Sequence, residues 1–417
     1  MSNDSNETLY LDSKFKFNNG TVIKNRLFKS AMSEQLGDKS HNPTRGLANL
    51  YRRWAQGGIG LMMSGNIMVD RTALGEPKNV VLDEQSDMNP FKEWTKAGTE
   101  NGAQLWAQIN HPGKQIPNFI VKEPVAPSAI ALKRGLEKGF NKPRALTDNE
   151  IKEIIGKFIT SARLAKEVGF TGVQIHGAHG YLVSQFLSSS HNQREDKWGG
   201  TLNNRMRFVL ELYRGIRKEV GHDFLVGIKL NSADFMKGGF TEEESMQVVK
   251  ALGEEGIDLI EISGGTYEAP AMVGHASNPQ KDSTKKREAY FLDYAESVRE
   301  TTNTPLVVTG GFRSSIGMTN ALQSRACDFT GIARPLAVDP DFPIKAMKDI
   351  NYVLKLKTLS TGVKAIDRMA MLDITWYEFQ LERMANNKDP KNNMSEWMVF
   401  FKTLANAGAY SFRKRRA

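Results

Sequence analysis

Cysteine is almost absent from this chain of 417 residues, in which Cys327 stands alone. A single thiol excludes an internal disulfide, a zinc site built on cysteines and an iron–sulfur cluster held by cysteines. We therefore expect Cys327 to be a packing residue of the core.

Long apolar runs are also missing. No stretch approaches the roughly 18 apolar residues that a membrane span needs, and the opening MSNDSNETLY contains no apolar signal segment. Hydrophobic residues make up 40% of the chain and charged residues 25%, which is typical of water-soluble globular proteins. These features predict a cytoplasmic enzyme without a membrane partner.

The formal net charge is +9, and four of the cations stand together at positions 413–416 near the end of the chain. Basic clusters that bind nucleic acid are commonly interleaved with aromatic residues, and this one is not. We interpret the cluster as a solvated tail and expect no nucleic-acid partner.

The chain does contain short runs rich in Val, Ile and Leu, each followed by a longer stretch with helical spacing. This alternation is typical of a buried parallel sheet with crossover helices. The runs lie near residues 25–33, 58–66, 103–110, 172–176, 224–231, 257–263, 304–310 and 328–333. Because eight such units close a barrel, we predict an α/β fold of the (β/α)8 TIM-barrel type.

Local signals divide the chain further. Capping boxes at Thr147–Glu150 and Thr241–Glu244 predict two helix starts. The segment 111–146 has too many Pro, Gly and Lys residues for a helix, and we expect it to lie over the barrel mouth. We predict a barrel domain over residues 1–351 and a C-terminal helical extension with a basic tail over residues 352–417.

Polar residues and glycines recur where the predicted strands end, which is where TIM barrels build active sites. They are Ser33, Gln108, His176, Lys229, Gly264, Gly310, Gly311 and Arg334. The last three follow strands seven and eight, where glycine N–H groups and an arginine commonly bind phosphate. A Gly-Gly pair is otherwise often just a tight turn.

The fourth strand leads into His176, His179 and Tyr181, and this spacing has three interpretations. As metal ligands the histidines lack a nearby carboxylate or thiolate. As core residues they would sit in a regular strand, whereas glycines flank them. We favour the third interpretation, in which the imidazoles bind a substrate oxygen and Tyr181 is the acid.

Gln108 and Lys229 suit a flavin. A side-chain amide both donates and accepts, which matches the alternating edge of a flavin ring, and a cation near the pyrimidine end would stabilise the reduced anionic ring. Each residue alone is weak evidence, because a strand lysine usually reaches water.

These motifs together resemble the Old Yellow Enzyme family of FMN-dependent oxidoreductases. The similarity is carried by KNRLFKSAMSEQ, WAQINHPGKQ, GVQIHGAHGYLVSQFLSSSHNQREDKWGGTLNNRMRF, GIKLN, TGGF and GIARPLAVDP, and it covers most of residues 20–345. The resemblance implies an FMN-binding TIM barrel in which NADH or NADPH reduces a noncovalent flavin. The flavin then reduces a small electrophile such as an unsaturated carbonyl, a nitro compound or a quinone.

The resemblance also implies roles for single residues. His176 and His179 match the pair that holds the substrate oxygen, and Tyr181 matches the proton donor. The residues assigned to the cofactor are Ala31, Met32, Ser33, Asn66, Gln108, Lys229, Gly264, Gly310, Gly311, Ala333 and Arg334. Ser33 stands where other branches carry Cys or Thr, and Ala31 where Pro is common.

Two other functions stay open at this point. One is a metal-dependent hydrolase or aldolase on the same barrel, with His176 and His179 as ligands. The other is a flavin-binding interaction protein with little turnover. The sequence leaves open the physiological acceptor, the choice between NADH and NADPH, and the oligomeric state, a homo-oligomer included.

Overall fold

The eight predicted runs form eight parallel strands that close into a barrel in the computed structural model, which describes residues 8–269, 288 and 291–407. Strand β3 pairs with both β4 and β13, and these two pairings close the barrel. The barrel strands are β3 (Leu27–Lys29), β4 (Leu61–Met68), β6 (Gln104–Asn110), β9 (Gly172–Gly177), β10 (Leu225–Asn231), β11 (Leu259–Ser263), β12 (Leu306–Thr309) and β13 (Phe329–Ile332). The predicted fold class is thereby confirmed.

The first barrel strand is shorter than predicted. It ends at Lys29, and residues 30–33 leave the sheet as irregular backbone at the barrel mouth. Strand β4 carries an irregularity between Met63 and Asn66, at which its register to β6 shifts. Both deviations occur beside the mouth, where bulges commonly redirect side chains.

An aromatic cluster fills the opposite end of the barrel. The hairpin of β1 (Phe15–Lys16) and β2 (Val22–Ile23) packs its apolar side chains among interior residues of the strands. Phe17 lies 5.9 Å from Trp106 between ring centroids, and Phe15 lies 4.9 Å from Phe329. This end of the barrel is therefore filled by side chains, and the site must lie at the mouth.

The helices surround the barrel, and the two whose starts the sequence predicts begin at the predicted residues. Both capping boxes form, at Thr147 and Glu150 and at Thr241 and Glu244. The helices of the barrel are α1 (Arg45–Gln56), α2 (Met88–Gly98), α3 (Asp148–Glu167), α4 (Leu182–Leu187), α5 (Leu202–Arg205), α6 (Arg207–Val220), α7 (Glu242–Glu254), α8 (Leu292–Arg299), α9 (Ser315–Gln323), α10 (Arg334–Val338) and α11 (Phe342–Lys348). Cys327 is buried in the core, as predicted.

The mouth insert, residues 111–146, contains no helix and forms only the short pair β7 (Val125–Ala126) and β8 (Arg144–Ala145). Strand β5 (Val80–Val81) pairs in parallel with the end of β4 beside the mouth. Residues beyond 352 form α12 (Lys364–Ala370), α13 (Leu372–Ala385) and α14 (Glu396–Ala407). Helix α13 packs beside α1, where Asn49 Nδ2 donates to the Ala385 carbonyl at 3.0 Å. The basic residues 413–416 lie outside the described residues. In the described part of the chain, no helix is long and apolar enough to cross a membrane.

Candidate active site at the barrel mouth

A cavity at the barrel mouth brings most of the predicted site residues together. Its wall includes Ala31, Met32, Ser33, Asn66, Gln108, His176, His179, Tyr181, Lys229, Gly310, Gly311, Ala333 and Arg334. Gly264 is not part of the wall, because Phe235 and Phe291 stand where a side chain at this position would point. The other candidates come from seven different strands or the loops after them, as expected for a TIM barrel.

The rings of His176, His179 and Tyr181 form one cluster. The His176 ring centroid lies 5.0 Å from that of His179 and 4.8 Å from that of Tyr181, and both contacts are edge to face. His179 has a positive φ of 62°, so the backbone turns out of β9 at this point. This turn places the three rings side by side at the cavity, although only His176 lies in the strand itself.

Each imidazole has a hydrogen-bond contact, His176 with a backbone N–H group and His179 with a serine hydroxyl. The Ala178 N–H donates to His176 Nδ1 at 3.3 Å, which makes Nδ1 an acceptor and leaves the proton on Nε2. Burial, with a smaller contribution from the positive charge of Lys229, holds the pKa of His176 well below its usual value. His176 is therefore a neutral donor at neutral pH. His179 Nε2 lies 2.7 Å from Ser263 Oγ, so a ligand that binds this nitrogen would replace that contact.

A chain of buried polar side chains links Gln108 to Lys229. Gln108 Nε2 donates to Gln174 Oε1 at 2.7 Å, and Gln174 Nε2 donates to Glu261 Oε2 at 2.9 Å. Lys229 Nζ and Thr309 Oγ1 donate to the other oxygen of Glu261 at 3.0 and 2.8 Å. Lys229 is therefore neutralised by a buried carboxylate, which the sequence analysis did not foresee.

The segment that follows β3 is held by a second buried ion pair. Lys29 is fully buried, and its Nζ donates to the Met63 carbonyl at 2.7 Å and to Tyr51 Oη at 3.0 Å. Glu34 lies 3.5 Å from the same ammonium and accepts a hydrogen bond from Tyr51. Burial lowers the pKa of Lys29 to about 8, against the opposing effect of Glu34. These contacts fix both ends of the segment that contains Ala31, Met32 and Ser33.

The donor set of the cavity fits FMN. Within the described part of the chain, the buried Oδ1 of Asn66 has no hydrogen-bond partner, as expected of a group that serves a bound ligand. Gly310 and Gly311 have φ values of 116° and 98°, a conformation that leaves backbone N–H groups accessible and that side chains strongly disfavour. Arg313 and Arg334 add two cations to the same wall, which suits a phosphate. The buried amide of Gln108 and the ammonium of Lys229 complete the set at the barrel centre.

Several wall residues were missed by the sequence analysis. They are Ser30, Glu76, Ser263, Phe291, Thr309, Phe312 and Arg313. Ser263, Thr309 and Arg313 do follow the rule of strand ends and could have been found from it. Glu76 could not, because it comes from a loop whose packing onto the mouth has no local signal. Its Oε2 accepts a hydrogen bond of 2.6 Å from Ser33 Oγ.

The C-terminal extension also contributes to the cavity. Asp373, Ile374, Tyr377, Glu378 and Leu381 lie on one face of α13 and form part of the wall. Gln35 Nε2 donates to Glu378 Oε1 at 3.0 Å and ties this helix to the segment after β3. The extension is therefore part of the site and not only an appendage to the barrel.

The metal-dependent alternative has no support in the described part of the chain. No group of three or more His, Cys, Asp or Glu side chains there is arranged to hold a metal ion. His176 and His179 have as their close neighbours Lys229, Ser263 and Tyr181. An ammonium next to the imidazoles disfavours a cation at this position.

Comparisons with known proteins identify the family of the chain. The model of the NADH:flavin oxidoreductase / NADH oxidase family matches residues 13–352. An NADH-dependent flavin oxidoreductase of Hypocrea jecorina is 36% identical over 347 residues, which are 79% of this chain and 86% of that protein. A second, from Talaromyces variabilis, is 34% identical over 412 residues, which cover 90% of this chain and 98% of that protein.

Solved structures show the same architecture. A 2-naphthoyl-CoA reductase complex superposes with a TM-score of 0.74 at 28% identity, covering 81% of this chain but only 52% of the longer reductase. The Old Yellow Enzyme homologue of Zymomonas mobilis superposes with a TM-score of 0.71 at 24% identity, over 84% of this chain and 97% of that one, and supports the fold alone. With the family model matching most of its length, the chain belongs to the NADH:flavin oxidoreductase / NADH oxidase family, whose cofactor is FMN, and is an NAD(P)H:flavin oxidoreductase similar to Old Yellow Enzyme.

Proposed function

We propose that this enzyme reduces electron-poor alkenes, such as α,β-unsaturated carbonyl and nitro compounds, and also quinones. The observation that carries the proposal is the cluster of His176, His179 and Tyr181 at the cavity wall. The ring centroids of His179 and Tyr181 lie 5.0 and 4.8 Å from that of His176. Bound FMN would supply the carrier that takes hydride from the nicotinamide and passes it to the acceptor.

The two imidazoles bind and polarise the acceptor. His176 presents an Nε2–H donor because its Nδ1 already accepts from Ala178. The neutral ring donates a hydrogen bond to a carbonyl or nitro oxygen without losing a proton, and one such donor contributes about 3 kcal/mol to stabilising the charge that develops there. Polarisation of that oxygen makes the β-carbon of the acceptor more electrophilic.

Tyr181 completes the reduction by protonating the α-carbon. Its side chain is buried, with 6% exposed, and it forms part of the cavity wall beside His176. A positioned acid contributes a factor of about 100 or more to a step of this kind. A quinone needs protons only on its oxygen atoms, so it does not depend on this phenol.

The first test is spectroscopic. The purified protein should carry noncovalent FMN, lose the flavin absorbance anaerobically on addition of NADH, and regain it on addition of 2-cyclohexenone with formation of cyclohexanone. We expect NADH to be preferred over NADPH, as the names of the fungal relatives suggest. A protein that cannot be reconstituted with FMN, or whose reduced flavin does not react with the enone, would refute the proposal.

The second test concerns Tyr181. In Tyr181→Phe we expect reoxidation by the enone to slow about 100-fold, while reduction by NADH and reoxidation by benzoquinone stay within about twofold of wild type. Stopped-flow absorbance measures the three rates separately. Equal slowing of all three would remove Tyr181 from the role of acid. The cytoplasmic location and the absence of a nucleic-acid partner stay predictions.

A further inference from the structure

A second phenol stands behind Tyr181. Tyr267 lies in the loop after β11, and its Oη is 2.9 Å from Tyr181 Oη. The two rings meet edge to face with centroids 5.8 Å apart. Among the described residues, Tyr181 forms part of the cavity wall and Tyr267 lies behind it, in contact with the Tyr181 hydroxyl.

The pair is shielded from solvent by the mouth insert. Leu132, Leu136 and Phe140 of the insert form one apolar cluster with the two tyrosines, which are 6% and 8% exposed. A hydrogen bond between polar groups is stronger in such surroundings than in water. The contact between the hydroxyls is therefore an energetically significant feature of the site.

The loop that carries Tyr267 is held in place on both sides. Thr266 pairs with Ala269 across the turn, and the backbone of Thr266 also bridges to His179. The carboxylate of Glu268 accepts from the Lys133 N–H at 2.8 Å, and the Glu268 carbonyl accepts from Arg134 Nη1 at 2.6 Å. Residues 266–268 are thus held by hydrogen bonds next to the rings of His179 and Tyr181.

We propose that Tyr267 is a positioning residue that makes Tyr181 an effective acid and returns its proton. A phenol has one proton. When Tyr181 directs that proton at the α-carbon, its oxygen must accept the hydrogen bond from Tyr267. The hydrogen bond then stabilises the negative charge that Tyr181 acquires as the new C–H bond forms and its O–H bond breaks. Tyr267 transfers its own proton to the resulting phenolate and is reprotonated at its exposed 8% by a proton of the solution, which is the proton that the overall reduction consumes.

This proposal rests on the proposed function, since it concerns the protonation of carbon. A hydrogen bond to a charged group is worth about 1.5–3 kcal/mol, which corresponds to a factor of about 10 to 100 in rate. We therefore expect Tyr267→Phe to slow reoxidation of the NADH-reduced enzyme by 2-cyclohexenone about 10- to 100-fold. Reduction by NADH and reoxidation by benzoquinone should stay within about twofold of wild type.

The decisive measurement is a double-mutant cycle by stopped flow. If Tyr267 acts through Tyr181, the variant Tyr181→Phe with Tyr267→Phe reacts with the enone no more slowly than Tyr181→Phe alone. If Tyr267 had only a structural role, the rate losses of the two single variants would multiply in the double variant, and the reaction with the quinone would also be slower. Tyr294→Phe is the matched control, because this buried phenol donates to Ser245 Oγ at 2.7 Å in a different part of the barrel. It should leave all rates unchanged.

The outcomes separate this proposal from the one it rests on. An unchanged enone rate in Tyr267→Phe, or multiplicative losses in the double variant, would overturn the role of Tyr267 while leaving enone reduction intact. A wild-type enzyme that reacts with benzoquinone but not with the enone would instead overturn the proposed function. The flavin absorbance of each variant checks that the cofactor is bound and that the fold is retained.

Discussion

Replacing Glu261 with glutamine tests the charge balance at the centre of the barrel. The carboxylate is fully buried and accepts hydrogen bonds from Gln174, Lys229 and Thr309. Glutamine keeps the size of the side chain but removes the charge and one acceptor oxygen. The new amide N–H group would lie next to one of the groups that now donate to the carboxylate, so two donors would oppose each other. The ammonium of Lys229 would also lose its buried counter-ion. We expect a loss of about 3–5 kcal/mol in the free energy of unfolding, as for other buried pairs from which one partner is removed.

The assay is urea unfolding followed by the fluorescence of the six tryptophans. Measurements at several FMN concentrations separate a change of cofactor affinity from a change of intrinsic stability. The double variant Glu261→Gln with Lys229→Met removes both charges and should be more stable than Glu261→Gln alone. A loss below about 1 kcal/mol in Glu261→Gln, or additive losses in the double variant, would refute this reasoning.

Two further predictions concern pH and the glycine turn. Burial lowers the pKa of His111 to about 4. Between pH 6.5 and 4 the unfolded chain therefore binds a proton that the folded protein does not. The free energy of unfolding consequently falls as the pH is lowered through this range. In His111→Asn the side-chain oxygen can still accept from the Gly113 N–H. The free energy of unfolding, measured with urea, should then fall less steeply with pH, by up to about 1.4 kcal/mol per pH unit. Identical slopes in the two proteins would contradict this. In Gly311→Ala, strain of about 1–3 kcal/mol at a φ of 98° should displace the loop and weaken FMN binding about tenfold, as measured by fluorescence titration. Gly221→Ala carries similar strain at a φ of 76° away from the cavity and should leave FMN affinity unchanged.

The barrel could be predicted from the sequence because each strand has its own local signal. Runs such as GVQIH and FLVGIKLN are too apolar for a surface position and too short for a helix, and their number determines the closed architecture. The strand-end rule then placed His176, Gln108 and Lys229 at one mouth without any knowledge of distances. The helix starts at Thr147 and Thr241 could be predicted equally well, because a capping box is complete within four residues.

The remaining parts of the site depend on contacts between distant segments. Glu261 stands within an apolar run, and only the register of β10 against β11 shows that it opposes Lys229. Tyr267 meets Tyr181 across 86 positions of sequence. The face that α13 presents to the cavity depends on how the extension packs against α1. No local pattern encodes these pairings, so pattern analysis could not find them.

The pairing that closes the barrel has a consequence for how the enzyme is made. Leu27 of β3 lies opposite Thr330 of β13, so the sheet cannot close until nearly the whole barrel has left the ribosome. Contacts of such long range form slowly, because the intervening chain must first be ordered. Helix α13 follows later still and supplies one wall of the cavity. Assembly of the FMN pocket is therefore a late event of synthesis, and a chain truncated before α13 would expose its flavin to solvent oxidants.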